Sequence, residues 1–151
     1  MDELTLLGSE VEYNFDEPNK IHLEKFEYSQ YKFHQLISFK TDEFTSLCPM
    51  TGQPDFASLD ICYIADKFAI ESKSLKLYIF RYRNHGAFHE DCINKITQDI
   101  IDVIDPKYIR VIGDFSKRGG ISIKPISEYC RDGFKKPVDL INQYDNFNFK
   151  N

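Results

Sequence analysis

The chain has 151 residues, 42% of them hydrophobic and 15% aromatic, with 13 Phe, 9 Tyr and no Trp. That length suits a single domain burying about 70% of the surface its unfolded chain exposes, and the composition excludes intrinsic disorder. A net charge of −5 argues against the basic face that nucleic-acid binding needs. No apolar run approaches the ~18 residues of a membrane-spanning helix. Neither nucleic acid nor membrane is therefore expected as a partner.

The opening "MDELTLLGSEVEY" is acidic and lacks the basic and apolar regions of a secretory signal. The four cysteines, Cys48, Cys62, Cys92 and Cys130, are dispersed with no CxxC pair, so neither a zinc ribbon nor a thioredoxin motif is present. Reduced thiols and a cytoplasmic location are expected.

The first 30 residues, rich in Glu, Asp and Asn, read as an irregular lead-in with a short helix around 23–26. "YKFHQLISF" (31–39) is aromatic-rich and alternates imperfectly, which predicts a strand. Residues 48–54, "CPMTGQP", form a loop. "DFASLDICYIA" (55–65) alternates as a second strand. From Glu71 the period becomes helical, with Ser72 as N-cap and "NHG" (84–86) as the break. A longer helix over 88–104 carries Cys92, Ile93, Ile96, Ile100, Ile101 and Ile104 on one stripe, and Asp105-Pro106 ends it. "KYIRVIGDF" (107–115) and "GISIKPISEY" (120–129) are two further strands joined through "SKRGG". The expected class is α+β in the order ββααββ, an antiparallel four-stranded sheet with two helices on one face. The whole of 1–151 is one domain, and 134–151 is a polar tail with no assigned role.

Cys48 sits among turn formers, where a thiol is presented rather than packed, and its thiolate fraction is a strong nucleophile. The plain alternative is an inert loop cysteine. Asp55, at the turn-to-strand junction, can fold back to deliver protons or simply cap the turn. Lys73 and Lys76 share one helix face. With Arg118, beside Gly119 and Gly120, they suggest an anion site, against the bland reading of a solvated face. His89 and Glu90 open the long helix. A carboxylate such as Glu90 accepts paired hydrogen bonds from a guanine-like N1–H and 2-amino edge, or it merely complements the helix dipole. No GxGxxG follows a strand, which leaves a Rossmann site unsupported. Cys48, His85 and His89 match no standard zinc spacing, so no metal is expected.

"ESKSLKLY" (71–78), "FTSLCPMTGQPDF", "YRNHGAFHEDC" and "RGGIS" together resemble, in the same order, the blocks of the NADPH-dependent nitrile reductases of queuosine biosynthesis, the 7-cyano-7-deazaguanine reductase (QueF) family. The resemblance spans about 44–123. It implies the tunnelling fold and a homo-oligomer with sites between subunits. It also implies reduction of the nitrile of 7-cyano-7-deazaguanine to an aminomethyl group at the expense of two NADPH. By the same resemblance Cys48 is the nucleophile that forms a thioimide and Asp55 the proton donor. Ile70, Glu71, Ser72, His89 and Glu90 would bind the substrate, and Lys73, Lys76 and Arg118 the NADPH phosphates. Cys92, two residues after Glu90, reads as core on the isoleucine stripe, the alternative being that it lies near enough to Cys48 for a disulfide under oxidation. Two other functions compete: a zinc-dependent hydrolase of the same fold, and a purine-binding protein without catalysis.

Overall fold

The β-branched and aromatic runs pair into a four-stranded antiparallel sheet in the order β2-β3-β5-β6. These strands are β2 (Ile37–Leu47), β3 (Pro54–Ile64), β5 (Tyr108–Phe115) and β6 (Ile126–Cys130). The structure, a computed structural model, describes residues 13–148. A second, two-stranded sheet pairs β1 (Lys25–Glu27) with β4 (Phe68–Ile70), Lys25 facing Ile70. The helices are α1 (Ser72–Phe80), α2 (His89–Ile104) and α3 (Val138–Asn148).

Alternation on the central strands decides the layers. On β3, Ala57, Leu59, Ile61 and Tyr63 join the main core, while Cys62 and Ile64 belong to a second cluster behind the sheet. The main core receives Leu75 and Tyr78 of α1 and the stripe Cys92, Ile93, Ile96, Ile100 and Ile104 of α2. Those positions recur every three or four residues, so they bury one face of α2 and leave Glu90, Asn94 and Gln98 in water. Asp105 closes α2 in a left-handed conformation, φ 44°, its amide donating to the Ile101 carbonyl at 2.8 Å.

Strand β2 resolves the imperfect alternation of the sequence. Between Thr41 and Phe44 its register against β3 shifts, one extra residue forming a β-bulge that reverses the phase. Ile37 and Phe39 before it, and Phe44 after it, thereby all reach the same core.

Four expectations need correction. Residues 20–22 form a single 3₁₀ turn capped by Asn19, and 25–27 a strand, in place of a helix over 23–26. Strand β2 begins at Ile37, since its last partner is Tyr63; Tyr31 and Phe33 lie outside the sheet, exposed and stacked at 5.4 Å. Regular pairing of β6 begins only at Ile126, because Pro125 has no N–H to contribute. The tail is α3, which lays Ile141 against Cys62, Ile64 and Tyr108. Tyr144 donates to Asp60 at 2.6 Å and Arg110 Nη1 to Asp145 at 3.1 Å, so the sheet is covered on both faces.

Candidate active site

The loop after β2 is a tight turn held by its own backbone. Cys48 N–H donates to the Gln53 carbonyl at 2.9 Å and Gly52 N–H to the Cys48 carbonyl at 2.9 Å. Gly52 adopts φ +68°, a region where a Cβ is penalised. From the other side the "NHG" segment grips the loop's base: Leu47 N–H donates to His85 and Ala87 N–H to Leu47. The Cys48 side chain is thus anchored at the backbone while remaining partly exposed. Its thiol is pulled below the ordinary value chiefly by the Thr51 hydroxyl, then by the Met50 and Thr51 amides and Arg118, with burial opposing.

Asp55 is the second residue of β3, on the helix-facing side of the sheet, and is only 4% exposed. Its Oδ1 accepts from Arg118 Nε at 2.8 Å and lies 3.0 Å from His89 Nε2. His89 opens α2 and stacks on Phe115 of β5, ring centroids 4.1 Å apart at 25°. Arg118 arrives from the β5–β6 hairpin. That turn closes by reciprocal Arg118–Ile121 backbone hydrogen bonds around Gly119 (φ +56°) and Gly120 (φ +81°). Two consecutive positive φ values are the demand of a tight hairpin, and glycine meets it.

The structure therefore brings Cys48, Asp55, His89 and Arg118 together. Of the other predicted residues, Glu90 adjoins His89, while Ile70, Glu71 and Ser72 lie toward the opposite end of β3 from Asp55, beyond Tyr63. Ile70, 2% exposed, donates its amide to Tyr63 Oη at 3.1 Å. Glu71, also buried, caps α1 in place of Ser72: its oxygens accept from Lys73 N–H at 2.8 Å and Ser74 N–H at 2.7 Å. Ser72 and Lys76 line a cavity of about 750 Å³ between α1 and strand β2, which also takes in Lys40, Phe56, Phe80 and Arg83. Lys73 is partly exposed in the first turn of α1, and Glu90 is exposed at the start of α2.

Sequence reasoning missed three contributors. Thr51 lies within the turn, yet its contact with sulfur depends on turn geometry that spacing does not encode. Phe115 reads as one more core aromatic until His89 is found stacked on it. Ser46, cross-strand partner of Asp55, is fully buried, with its hydroxyl against the buried Cys92 thiol. Cys92 is 1% exposed and burial pushes its thiol up to about 11, which suits its place on the core stripe; all four cysteines are free. Among the described residues no group of three or more His, Cys, Asp or Glu side chains is arranged to hold a metal.

Residues 54–133 match the model of a family described as QueF-like protein. A protein of Bacteroides thetaiotaomicron called NADPH-dependent 7-cyano-7-deazaguanine reductase is 53% identical over 134 residues, 89% of this chain and 88% of that one. One of the same name from Streptococcus mutans is 53% identical across 88% of this chain and 82% of its own. Among solved structures, an archaeosine synthase QueF-Like in its apo form superposes with a TM-score of 0.58 at 22% identity, covering 62% of this chain and 91% of that one. This last likeness is one of fold.

Proposed function

The chain belongs to the family of NADPH-dependent 7-cyano-7-deazaguanine reductases, and from that premise we propose how its own residues perform the reaction. It is an oxidoreductase that converts the nitrile of 7-cyano-7-deazaguanine to a primary amine with NADPH, a step of queuosine biosynthesis. The observation that carries the mechanism is the presented Cys48 thiol, held below its ordinary pKa on a turn whose far end leads directly into buried Asp55.

The thiolate of Cys48 adds to the nitrile carbon. A sulfur–carbon bond forms, one π bond of the C≡N breaks, and nitrogen takes a proton from Asp55, giving a thioimide. Hydride transfer from NADPH to the thioimide carbon, with a second proton delivered to nitrogen, gives an amino thioether; its C–S bond then breaks, releasing the Cys48 thiolate and leaving a protonated imine. A second NADPH reduces the imine so formed, and the balance is one nitrile, two NADPH and two protons to one amine and two NADP⁺. His89 and Glu90 meet the pyrrolopyrimidine, Glu90 by accepting from its N1–H and 2-amino edge. Ile70, Glu71 and Ser72, at the other end of β3 from Asp55, border it from a neighbouring copy; with its carboxylate committed to the cap, Glu71 contributes the position of the α1 N-terminus. Lys73, Lys76 and Arg118 face the NADPH phosphates, for which ammonium and guanidinium groups are suited.

Met50, Phe56, Phe88 and Ile121 are exposed hydrophobics on the segments that carry the site. An apolar rim of this kind supports covering by a second copy, consistent with a tunnelling-fold homo-oligomer whose sites lie between subunits. We place the enzyme in the cytoplasm, where thiols stay reduced; among the described residues no helix is long and apolar enough to cross a membrane.

The deciding experiment is NADPH oxidation on adding 7-cyano-7-deazaguanine, with wild type beside Cys48→Ala. Oxidation in the wild type that vanishes in the variant is expected. Persistence in the variant removes Cys48 as nucleophile, and absence from both removes the reductase reading.

A further inference from the structure

Arg118 touches the catalytic apparatus at three points. Its Nε donates to Asp55 Oδ1 at 2.8 Å, and its Nη2 donates to the Pro54 carbonyl at 2.8 Å and to the Gln53 carbonyl at 3.4 Å. The Gln53 carbonyl is also the acceptor of the Cys48 amide, at 2.9 Å. One guanidinium thus spans the closing hydrogen bond of the nucleophile's turn, the peptide that leads into β3, and the acid on it. It also interacts with the Cys48 sulfur. Only a planar fork with donors on separate edges can do this at once.

The support behind Arg118 is rigid where it needs to be. The Gly119-Gly120 turn closes on Arg118 through both of its backbone groups, and the Phe115 amide is held by the Ile123 carbonyl at 3.1 Å on the same hairpin. Phe115 carries His89, the other partner of Asp55. The charged and titratable groups facing this cluster are then Arg118 from the hairpin, His89 and Cys92 from α2, and Asp55 and Cys48 from the β2–β3 connection.

We propose that Arg118 is a positioning residue that locks the Cys48 turn in register with Asp55, so that nucleophile and acid are presented as one unit before any cofactor arrives. This rests on the reductase reading for the identity of the nitrile, and it differs from a role as phosphate contact in one decisive respect. Addition of the thiol to the nitrile needs no NADPH, so a phosphate contact has no part in it, whereas a positioning residue does.

The test is the rate of covalent adduct formation between the intact protein and 7-cyano-7-deazaguanine without NADPH, for wild type, Arg118→Gln and Arg118→Lys. Cys48-specific iodoacetamide labelling is followed against pH by peptide mass, with thermal melting and oligomeric state as folding controls. Adduct formation at least tenfold slower in Arg118→Gln, partly restored in Arg118→Lys, with the Cys48 labelling midpoint moved to higher pH in Arg118→Gln, supports the proposal. Wild-type adduct rates in Arg118→Gln overturn it and leave Arg118 as a cofactor contact only. If the wild type forms no adduct, the reductase reading fails, and the labelling curve decides alone: an unmoved midpoint in Arg118→Gln overturns the positioning role, and a raised one upholds it.

Discussion

At the scale of single residues, the site depends on one carboxylate with two cationic or polar partners and one thiol with several donors. Asp55→Asn keeps the shape of the side chain but removes the acid, and should lower turnover by about 10²–10⁴-fold, read as nitrile-dependent NADPH oxidation. The thiol gives a pH signature. Hydrogen bonds from Thr51 and its neighbours favour the thiolate of Cys48, so its fraction rises at lower pH than for an unperturbed cysteine. Thr51→Val removes the leading donor and should shift the Cys48 alkylation midpoint upward; a midpoint that stays in place refutes that role. Glu71 tests structure instead of chemistry. Glu71→Ala leaves two amides of α1 without their acceptor, which should cost about 1–2 kcal/mol and lower Tm by roughly 2–8 °C.

At the scale of elements, packing against α2 is what holds His89 in place. A Cβ on Gly113 would lie 2.6 Å from Ile93 Cδ1 and 2.9 Å from both Ile93 Cγ1 and the Phe115 ring. Gly113→Ala should therefore destabilise by about 1–3 kcal/mol and disturb Phe115, on which His89 is stacked, so activity should fall beyond what the loss of folded protein explains. Denaturant midpoints beside specific activity check this. How much of the arrangement could be read in advance follows from the same physics. Strand β3, helix α2 and the Cys48 turn are legible because each has strong local periodicity or turn chemistry. Strand β1 and the true start of β2 are not, because a three-residue strand and a strand's end are fixed by partners distant in sequence. Within the site, the types of Cys48, Asp55, His89 and Arg118 could be singled out, but the Arg118–Asp55 pair joins residues on opposite sides of α1 and α2 in the chain. Only the antiparallel β3–β5 register, which sets Ala57 opposite Phe115, brings them together.

At the scale of the whole molecule, the sheet is closed in by its own chain on both faces. Helix α3 escaped the sequence reading because only Ile141 of it is buried, and its hold on the sheet is largely polar, through Tyr144–Asp60 and Arg110–Asp145. Truncation after Gly133 should uncover Cys62, now fully buried. Thiol labelling with peptide mapping should then find Cys62 modified in the truncated protein and untouched in the full chain; protection in both would mean that another surface covers that face. The bulge in β2 has a wider reach than its single residue suggests. A strand has parity, and each added residue exchanges inside for outside unless a bulge absorbs it. Thr41 and Phe44 are three positions apart on β2 while their partners Leu59 and Ala57 are two apart, so the bulge takes up one residue and both halves of β2 look inward. Deleting Asp42 or Glu43 alone would leave regular pairing, with Phe44 and Ser46 still inward and the Cys48 turn in place. The bulge is slack in the ribbon: a one-residue deletion there should be tolerated, where the same deletion between Phe44 and Leu47 would turn the base of the nucleophile's turn to the opposite surface.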